Sequence, residues 1–271
     1  MNILKSIILL ILTSFNFNVF ADINRTALVI GNSNYIVSPL KNPKNDATDI
    51  SIALRKLGFK VIEKIDVNQI QMDKAINEYG RELENRKGIG LFYYAGHGIQ
   101  SQGENYLIPV NSYIERETEL KHKSVSVSRI LDEMSYANNG MNIVILDACR
   151  NNSLTRSFRN SSRGLSRVSN TPKGTILTYS TDPGNIALDG DGRNSPFAKS
   201  LIIEMQKPNQ QIEQAFKNVR KELNKLTKGK QTPFTTSSLS GDFYFKKIEK
   251  QEVKIKKSTP FTKIKIEAKE S

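Results

Sequence analysis

The chain has 271 residues, 38% of them hydrophobic and 25% charged, with 16 Gly and 9 Pro, a composition that excludes collagen-like, fully disordered and polytopic membrane proteins. At this length one large domain, or one domain with a short appendage, buries about 75% of its unfolded surface without a disulfide framework, and with 1 Cys no internal disulfide can form. The 40 Lys and Arg against 27 Asp and Glu give a net charge of +13, compatible with nucleic acid, anionic lipid or acidic protein as partners but singling out none of them.

Residues 1–21 read MNILKSIILLILTSFNFNVFA: one Lys, an apolar run from Ile7 to Leu12 that fades through Phe15, Phe17 and Val19, and a small residue at the end. This is the pattern of a secretory signal peptide cleaved after Ala21, with a mature chain from Asp22 and a periplasmic or secreted destination. Asn16 and Asn18 stop the run short of the roughly 18–20 apolar residues of a membrane span, and no Cys stands near the cleavage point to make a lipoprotein. In an exported protein the lone Cys149 is either a buried, inert thiol or one kept for its reactivity.

The mature chain alternates strand and helix patterns. Thr26–Gly31 (TALVIG) reads as a buried strand and Asp46–Leu57 as a helix stopped by Gly58. Lys60–Ile65 alternates like a strand, and Gln69–Leu83 returns to helical spacing. Ile89–Ala95 (IGLFYYA) and Met141–Ala148 (MNIVILDA) are continuous apolar strands on either side of a helix at Val127–Met134. Gly174–Ser180 adds a strand, Phe197–Met205 and Ile212–Leu226 add helices, and Asp242–Phe245 reads as the last strand. Strands apolar on both faces, alternating with helices, predict an α/β fold with a mainly parallel sheet covered on both sides. Right-handed crossovers then align the strand C-termini along one edge, where ligands bind.

Two segments fall outside this pattern. Arg150–Lys173 is a Ser, Asn and Arg-rich loop of about two dozen residues, longer than a connector needs to be. Lys246–Ser271 carries 9 Lys and 4 Glu and reads as a flexible basic tail, with alternation at Val253–Lys256 and Lys263–Glu267 that also fits a marginal strand pair. The domain between signal and tail therefore spans 22–245, and it contains no internal repeat.

Two of the expected strands end in chemically unusual residues, Tyr93-Tyr94-Ala95-Gly96-His97-Gly98 and Asp147-Ala148-Cys149-Arg150-Asn151-Asn152. If the strands are parallel neighbours, His97 and Cys149 lie side by side at the C-terminal edge. A thiol beside an imidazole is the minimum for nucleophilic catalysis, since His⁺ lowers the Cys pKa and the thiolate attacks a carbonyl. The N–H groups of Gly98 and Cys149 can meet the developing oxyanion, because Gly98 has no Cβ to keep a substrate away.

ALVIGNSNY, YYAGHG and DACRNN, in that order, followed by GTILTYSTDPG and DGDGRNSPFAKSL, resemble the caspase-like cysteine peptidases, peptidase family C14, in their paracaspase and metacaspase branch with its bacterial members. The resemblance runs from Arg25 to Phe245. It implies the caspase-haemoglobinase fold, a three-layer α/β/α sandwich around a mainly parallel sheet of about six strands. It also implies peptide hydrolysis by a dyad of Cys149 as nucleophile and His97 as general acid/base, through a thioester. Where caspases carry Gln-Ala-Cys-x-Gly, this chain has Asp147 two residues before the Cys and no Gly after it, which is similar to the branch that cleaves after Arg or Lys. On that carry-over Asp46, Asp147 and Asp182 form the S1 pocket, as carboxylates that hold a guanidinium through charge-assisted hydrogen bonds. Asp46 equally reads as a helix N-cap and Asp182 as a turn residue before Pro183.

A peptidase of that specificity finds cleavable bonds in its own Arg150–Lys173 loop, which otherwise reads as solvated chain. His97 and His122 do not form a zinc spacing, and Asp189-Gly190-Asp191-Gly192 lacks the remaining ligands of an EF-hand, so it reads as a Gly-rich turn. No obligatory cofactor is expected, although the branch includes calcium-activated members. GNSNY lacks the Walker and dinucleotide spacings, and the Lys-rich tail lacks the interleaved aromatics of a nucleic-acid binder. The expected partners are therefore protein or peptide substrates with a basic residue before the cut, with no specific nucleic acid and no stable membrane span after signal cleavage. A caspase-like module without turnover, acting as a scaffold, is the alternative from another class.

Overall fold

The β-branched and aliphatic runs build the parallel part of the sheet, formed by β1 (Arg25–Gly31), β2 (Lys60–Ile65), β3 (Ile89–Ser101), β6 (Met141–Cys149) and β7 (Thr175–Tyr179). The structure, a computed structural model, describes residues 23–149, 165–168, 171–182 and 187–248. The expected signal peptide, most of the Arg-rich segment and the tail beyond Ile248 lie outside the described residues. The sheet order is β2-β1-β3-β6-β7-β8, with β8 (Phe234–Ser237) antiparallel to β7. Two short strands, β4 (Glu104–Leu107) and β5 (Val125–Ser126), branch off β3. Because β1 steps outward to β2 and the chain then returns to β3 on the other side, the topology reverses between β1 and β3, the place where open α/β sheets form a crevice.

Helices cover both faces. α1 (Pro43–Lys56) lies on one face with α5 (Pro196–Met205) and α6 (Ile212–Leu226), burying Ile50, Leu54, Phe197, Leu201, Phe216 and Val219 against Val29, Leu91, Ile143 and Ile145. α2 (Gln69–Arg86) and α4 (Val127–Ala137) cover the other face, with Met72, Ile76, Tyr79, Ile130 and Met134 against Leu28, Phe92, Val144 and Leu177. The one-turn α3 (Leu120–Lys123) precedes β5. The result is the expected three-layer α/β/α sandwich. Among the described residues no helix is long and apolar enough to cross a membrane.

Boundaries differ from the sequence expectations in three places. α1 begins at Pro43, because a proline at the first helical position supplies a fixed φ and needs no intrahelical N–H partner. Asp46 is therefore inside the helix, and Asn42 is the N-cap. β3 does not stop at Ala95; it runs on to Ser101, pairing with β6 as far as His97 and then with β4 from Gly98. The last strand of the sheet is Phe234–Ser237, whereas Asp242–Phe245 buries Phe243 and Phe245 and forms no strand, pairing with Gln211 through an isolated bridge at Tyr244. The first residues of the expected tail are held in place, since Asn209 N–H donates to Lys246 O (2.8 Å) and Ile248 N–H to Asn209 Oδ1 (2.8 Å).

Candidate active site

The parallel pairing of β3 with β6 sets His97 opposite Cys149 in register, at the C-terminal end of β6 and of the stretch of β3 that pairs with it. His97 is buried, its ring lies 4.3 Å from that of Tyr35, and its Nε2 is 2.7 Å from Ser38 O. A carbonyl only accepts, so Nε2 carries the proton and Nδ1 is the basic nitrogen of the neutral ring. Ser38 has a left-handed backbone, φ 57°. The segment that presents its carbonyl is pinned by Asp66, whose carboxylate accepts the N–H groups of Ser33 (2.7 Å) and Asn34 (3.0 Å).

Gly98 lies where β3 leaves the main sheet. Ile108 N–H donates to His97 O (3.0 Å), and the alternation of an antiparallel pair then turns Gly98 N–H away from β4, to the side of β6. A Cβ at Gly98 would stand 2.9 Å from Leu165 Cδ2 and 3.0 Å from Ala148 Cβ, so glycine is the residue this approach permits.

Asp46 and Asp147 come together. Along β6, strand alternation puts Asp147 on the same face as Ile143 and Ile145, toward α1 and α5. Ser195 joins the two acids: its N–H donates to Asp46 Oδ1 (2.9 Å) and its Oγ–H to Asp147 Oδ2 (2.8 Å). Both carboxyls are buried, at 1% and 3% exposure, and Asp147 Oδ1 has no hydrogen-bond partner among the described residues. Burial, with the neighbouring Asp147 charge second, pushes Asp46 up to about 8, and burial pushes Asp147 up to about 6.

Sequence reasoning missed two members of this group. Asp189 lies in the irregular segment before α5, where its carboxylate accepts Lys41 N–H (2.7 Å) and Asn42 N–H (3.1 Å), and its charge acts on Asp147. Ser195 is the N-cap of α5, accepting Ala198 N–H (3.0 Å). The Ser-Pro pair at Ser195-Pro196 is a helix-start signal that marks this cap in the sequence. The segment that carries both is fastened to α1 by Arg193, whose guanidinium makes a bidentate pair with Asp49 (2.9 and 3.0 Å) and holds that carboxyl below its usual range.

Asp182 sits past the end of β7, half-buried, and the hydrogen bonds that join Asp46, Asp147 and Ser195 do not include it. His122 is exposed in α3, away from His97 in sequence and element. No three His, Cys, Asp or Glu side chains among the described residues converge as metal ligands.

The same architecture is found in known proteins. The family model for the caspase domain, Peptidase_C14, matches residues 24–244. The human protein named mucosa-associated lymphoid tissue lymphoma translocation protein 1 is 31% identical over 227 residues, and its mouse homolog 30%. Each match covers 80% of this chain and 26% of the relative, so the chain spans about a quarter of the length of these curated relatives. Among solved structures, caspase-1 from Spodoptera frugiperda superposes with a TM-score of 0.63 at 16% identity, over 86% of this chain and 95% of that one, a likeness of fold. The chain belongs to the caspase domain family, peptidase family C14, a family of cysteine peptidases.

Proposed function

We propose that this chain is an exported endopeptidase that hydrolyses peptide bonds after Arg or Lys through a thioester on Cys149. The observation that carries the reading is the buried pair Asp46 and Asp147, bridged by Ser195, two residues along β6 from the position opposite His97. A carboxylate oxygen buried without a partner is costly on its own and becomes favourable when a guanidinium donates to it. Asp189 adds negative charge beside the pair and Ser195 bridges it; Asp182, past the end of β7, completes the proposed S1 set.

In the proposed reaction His97 Nδ1 takes the Cys149 proton, and the thiolate attacks the carbonyl carbon of the bound Arg or Lys. The oxyanion receives the N–H groups of Gly98 and Cys149. Collapse expels the amine, which takes the proton from the imidazolium, and leaves the acyl thioester. Water, deprotonated by the same Nδ1, hydrolyses the thioester and restores the thiol. Throughout, Ser38 O holds the Nε2–H, which keeps Nδ1 as the working nitrogen. Self-processing in the Arg-rich segment after Cys149 and export by residues 1–21 belong to the same proposal.

The test uses protein starting at Asp22, in reducing buffer with and without calcium, and fluorogenic peptides ending in Arg, Lys or Asp, beside Cys149→Ala. Release after Arg or Lys that vanishes in Cys149→Ala is the expected result. Release only after Asp refutes the acidic pocket, and no release from any peptide by folded protein favours the scaffold reading. Amino-terminal sequencing of the exported protein checks for Asp22 as first residue.

A further inference from the structure

Two tyrosine hydroxyls are buried against the backbone of the residue that bears the imidazole. Tyr35 Oη accepts His97 N–H (2.9 Å) and reaches Ile108 O (3.0 Å), to which it donates. Tyr94 Oη donates to His97 O (2.8 Å), lies 3.0 Å from Ile108 O, and sits 3.1 Å from Tyr35 Oη. The peptide groups on both sides of the His97 Cα are thus gripped by phenols. The fit is close enough that a Cβ on Gly96 would stand 2.5 Å from Tyr35 Oη and 2.7 Å from Tyr94 Oη. Tyr35 also lies against the imidazole face and packs with Ile99, Tyr106, Ile108 and Val110 in a small apolar cluster of its own.

In an ordinary antiparallel pair the His97 N–H and the Ile108 C=O would bond each other, as the Ile108 N–H and His97 C=O do. Here the Tyr35 hydroxyl is inserted between them and bonds both. The phenol therefore acts as a spacer that holds the first residue pair of the hairpin apart and fixes where the His97 Cα sits. The segment that carries Tyr35 also supplies Ser38 O to Nε2, so one loop sets the ring's backbone, its face and its tautomer.

We propose that Tyr35, supported by Tyr94, is a positioning residue for the His97 imidazole. The inference rests on the peptidase reading for its kinetic consequence, but its structural content is independent of turnover. Tyr35→Phe keeps the ring and removes the spacer, which lets His97 N–H close onto Ile108 O and draws the imidazole away from Ser38 O.

The experiment compares Tyr35→Phe, Tyr94→Phe and Tyr79→Phe with wild type in mature protein. Tyr79 is the control: it is as buried as Tyr94, and its hydroxyl has no hydrogen-bond partner among the described residues. Tyr35→Phe lowers kcat about 10-fold with KM within two-fold, the loss of one well-placed hydrogen bond. Tyr94→Phe lowers it about 3-fold, because Ile108 N–H still holds His97 O, and Tyr79→Phe leaves it unchanged. The second readout needs no activity: the chain has 2 His, so imidazole nitrogen NMR with His122→Asn as the assignment aid reports His97 alone. Wild type shows the Nε2–H tautomer and Tyr35→Phe a mixture.

A Tyr35→Phe protein with kcat within two-fold of wild type, a fall equalled by Tyr79→Phe, or an unchanged tautomer overturns the inference. If wild type hydrolyses no peptide, the peptidase reading fails and the tautomer comparison decides the positioning role by itself.

Discussion

Asp147→Asn tests the buried acidic pair without relying on a substrate. Asp147 is 3% exposed, and burial lifts its carboxyl from 3.8 to about 6. At 1.36 kcal/mol per unit, that rise means the folded state holds the ionised group at a cost of about 3 kcal/mol. The folded value lies above the unfolded one, so the contribution of Asp147 to stability is complete below about pH 4 and is lost as pH rises through about 6. Asn at this position does not titrate and keeps an oxygen for the Ser195 Oγ–H, while its N–H groups replace the unpartnered Oδ1 and cost about 1 kcal/mol. Asp147→Asn is therefore less stable than wild type by about 1 kcal/mol near pH 4, where the wild-type carboxyl is neutral, and more stable by about 2 kcal/mol at pH 8.5. For a domain of this size the gap is about 4–8 °C in Tm. The Asp147 charge is also the second-largest push on Asp46, so the exchange lowers the Asp46 carboxyl toward its ordinary range as well.

The assay is thermal unfolding of the two proteins from pH 4 to pH 9, both in a Cys149→Ala background so that cleavage does not intrude. A gap that is the same at every pH, or a variant less stable than wild type at pH 8.5, refutes the argument. The stabilised protein is also expected to lose cleavage after Arg by about a hundredfold or more when Cys149 is present, because the guanidinium loses a buried charged partner. Stability and specificity then move in opposite directions from one substitution.

Two further outcomes follow from the same geometry. Since Asp46 is pushed up to about 8 and must be ionised to hold a cation, KM for Arg peptides falls by nearly a hundredfold between pH 6 and pH 8.5, measured apart from kcat; a flat KM over that range contradicts the pocket assignment. Gly98→Ala places a methyl 2.9 Å from Leu165 Cδ2 and 3.0 Å from Ala148 Cβ, so kcat drops about a hundredfold as the oxyanion donor shifts, and a kcat within threefold of wild type removes Gly98 N–H from the mechanism.

Much of this arrangement was legible in the sequence because its signals are local. The TALVIG, IGLFYYA and MNIVILDA runs announce strands buried on both faces, and with parallel pairing they bring His97 and Cys149 to the same edge, which the register bears out. What stayed hidden depends on contacts across long separations. β8 is an edge strand of Thr and Ser in PFTTSS, polar enough to pass for a loop until β7 supplies its partner. The alternation of Asp242–Phe245 is real, with Phe243 and Phe245 buried, but Tyr244 makes only an isolated bridge, to Gln211, outside the sheet. Ser195 and Asp189 sit 149 and 143 positions from Asp46 in chain order, and the clasp of Arg193 on Asp49, with the bonds of Asp189 to Lys41 and Asn42, shows why they reach it.

The pocket also bears on why the family likeness alone does not fix specificity. Strand alternation on β6 forces residue 147 onto the face that α1 and α5 cover, so whatever stands there is buried, and a fold selected for stability alone would place an apolar side chain at that point. Instead the chain sets a carboxylate there, sets a second at Asp46 and uses the cap of α5 to bridge them, leaving one oxygen unpartnered. Ser195 supplies two donors and the Tyr93 hydroxyl a long third to Asp147 Oδ2 (3.4 Å), whereas the two carboxylates together offer more acceptor capacity than that. On the proposed reading a multi-donor cation meets the remaining capacity, and does so better than a neutral group. A buried acidic pair of this kind is a structural liability at neutral pH until such a cation enters, which is the physical ground for assigning it to recognition of a basic side chain.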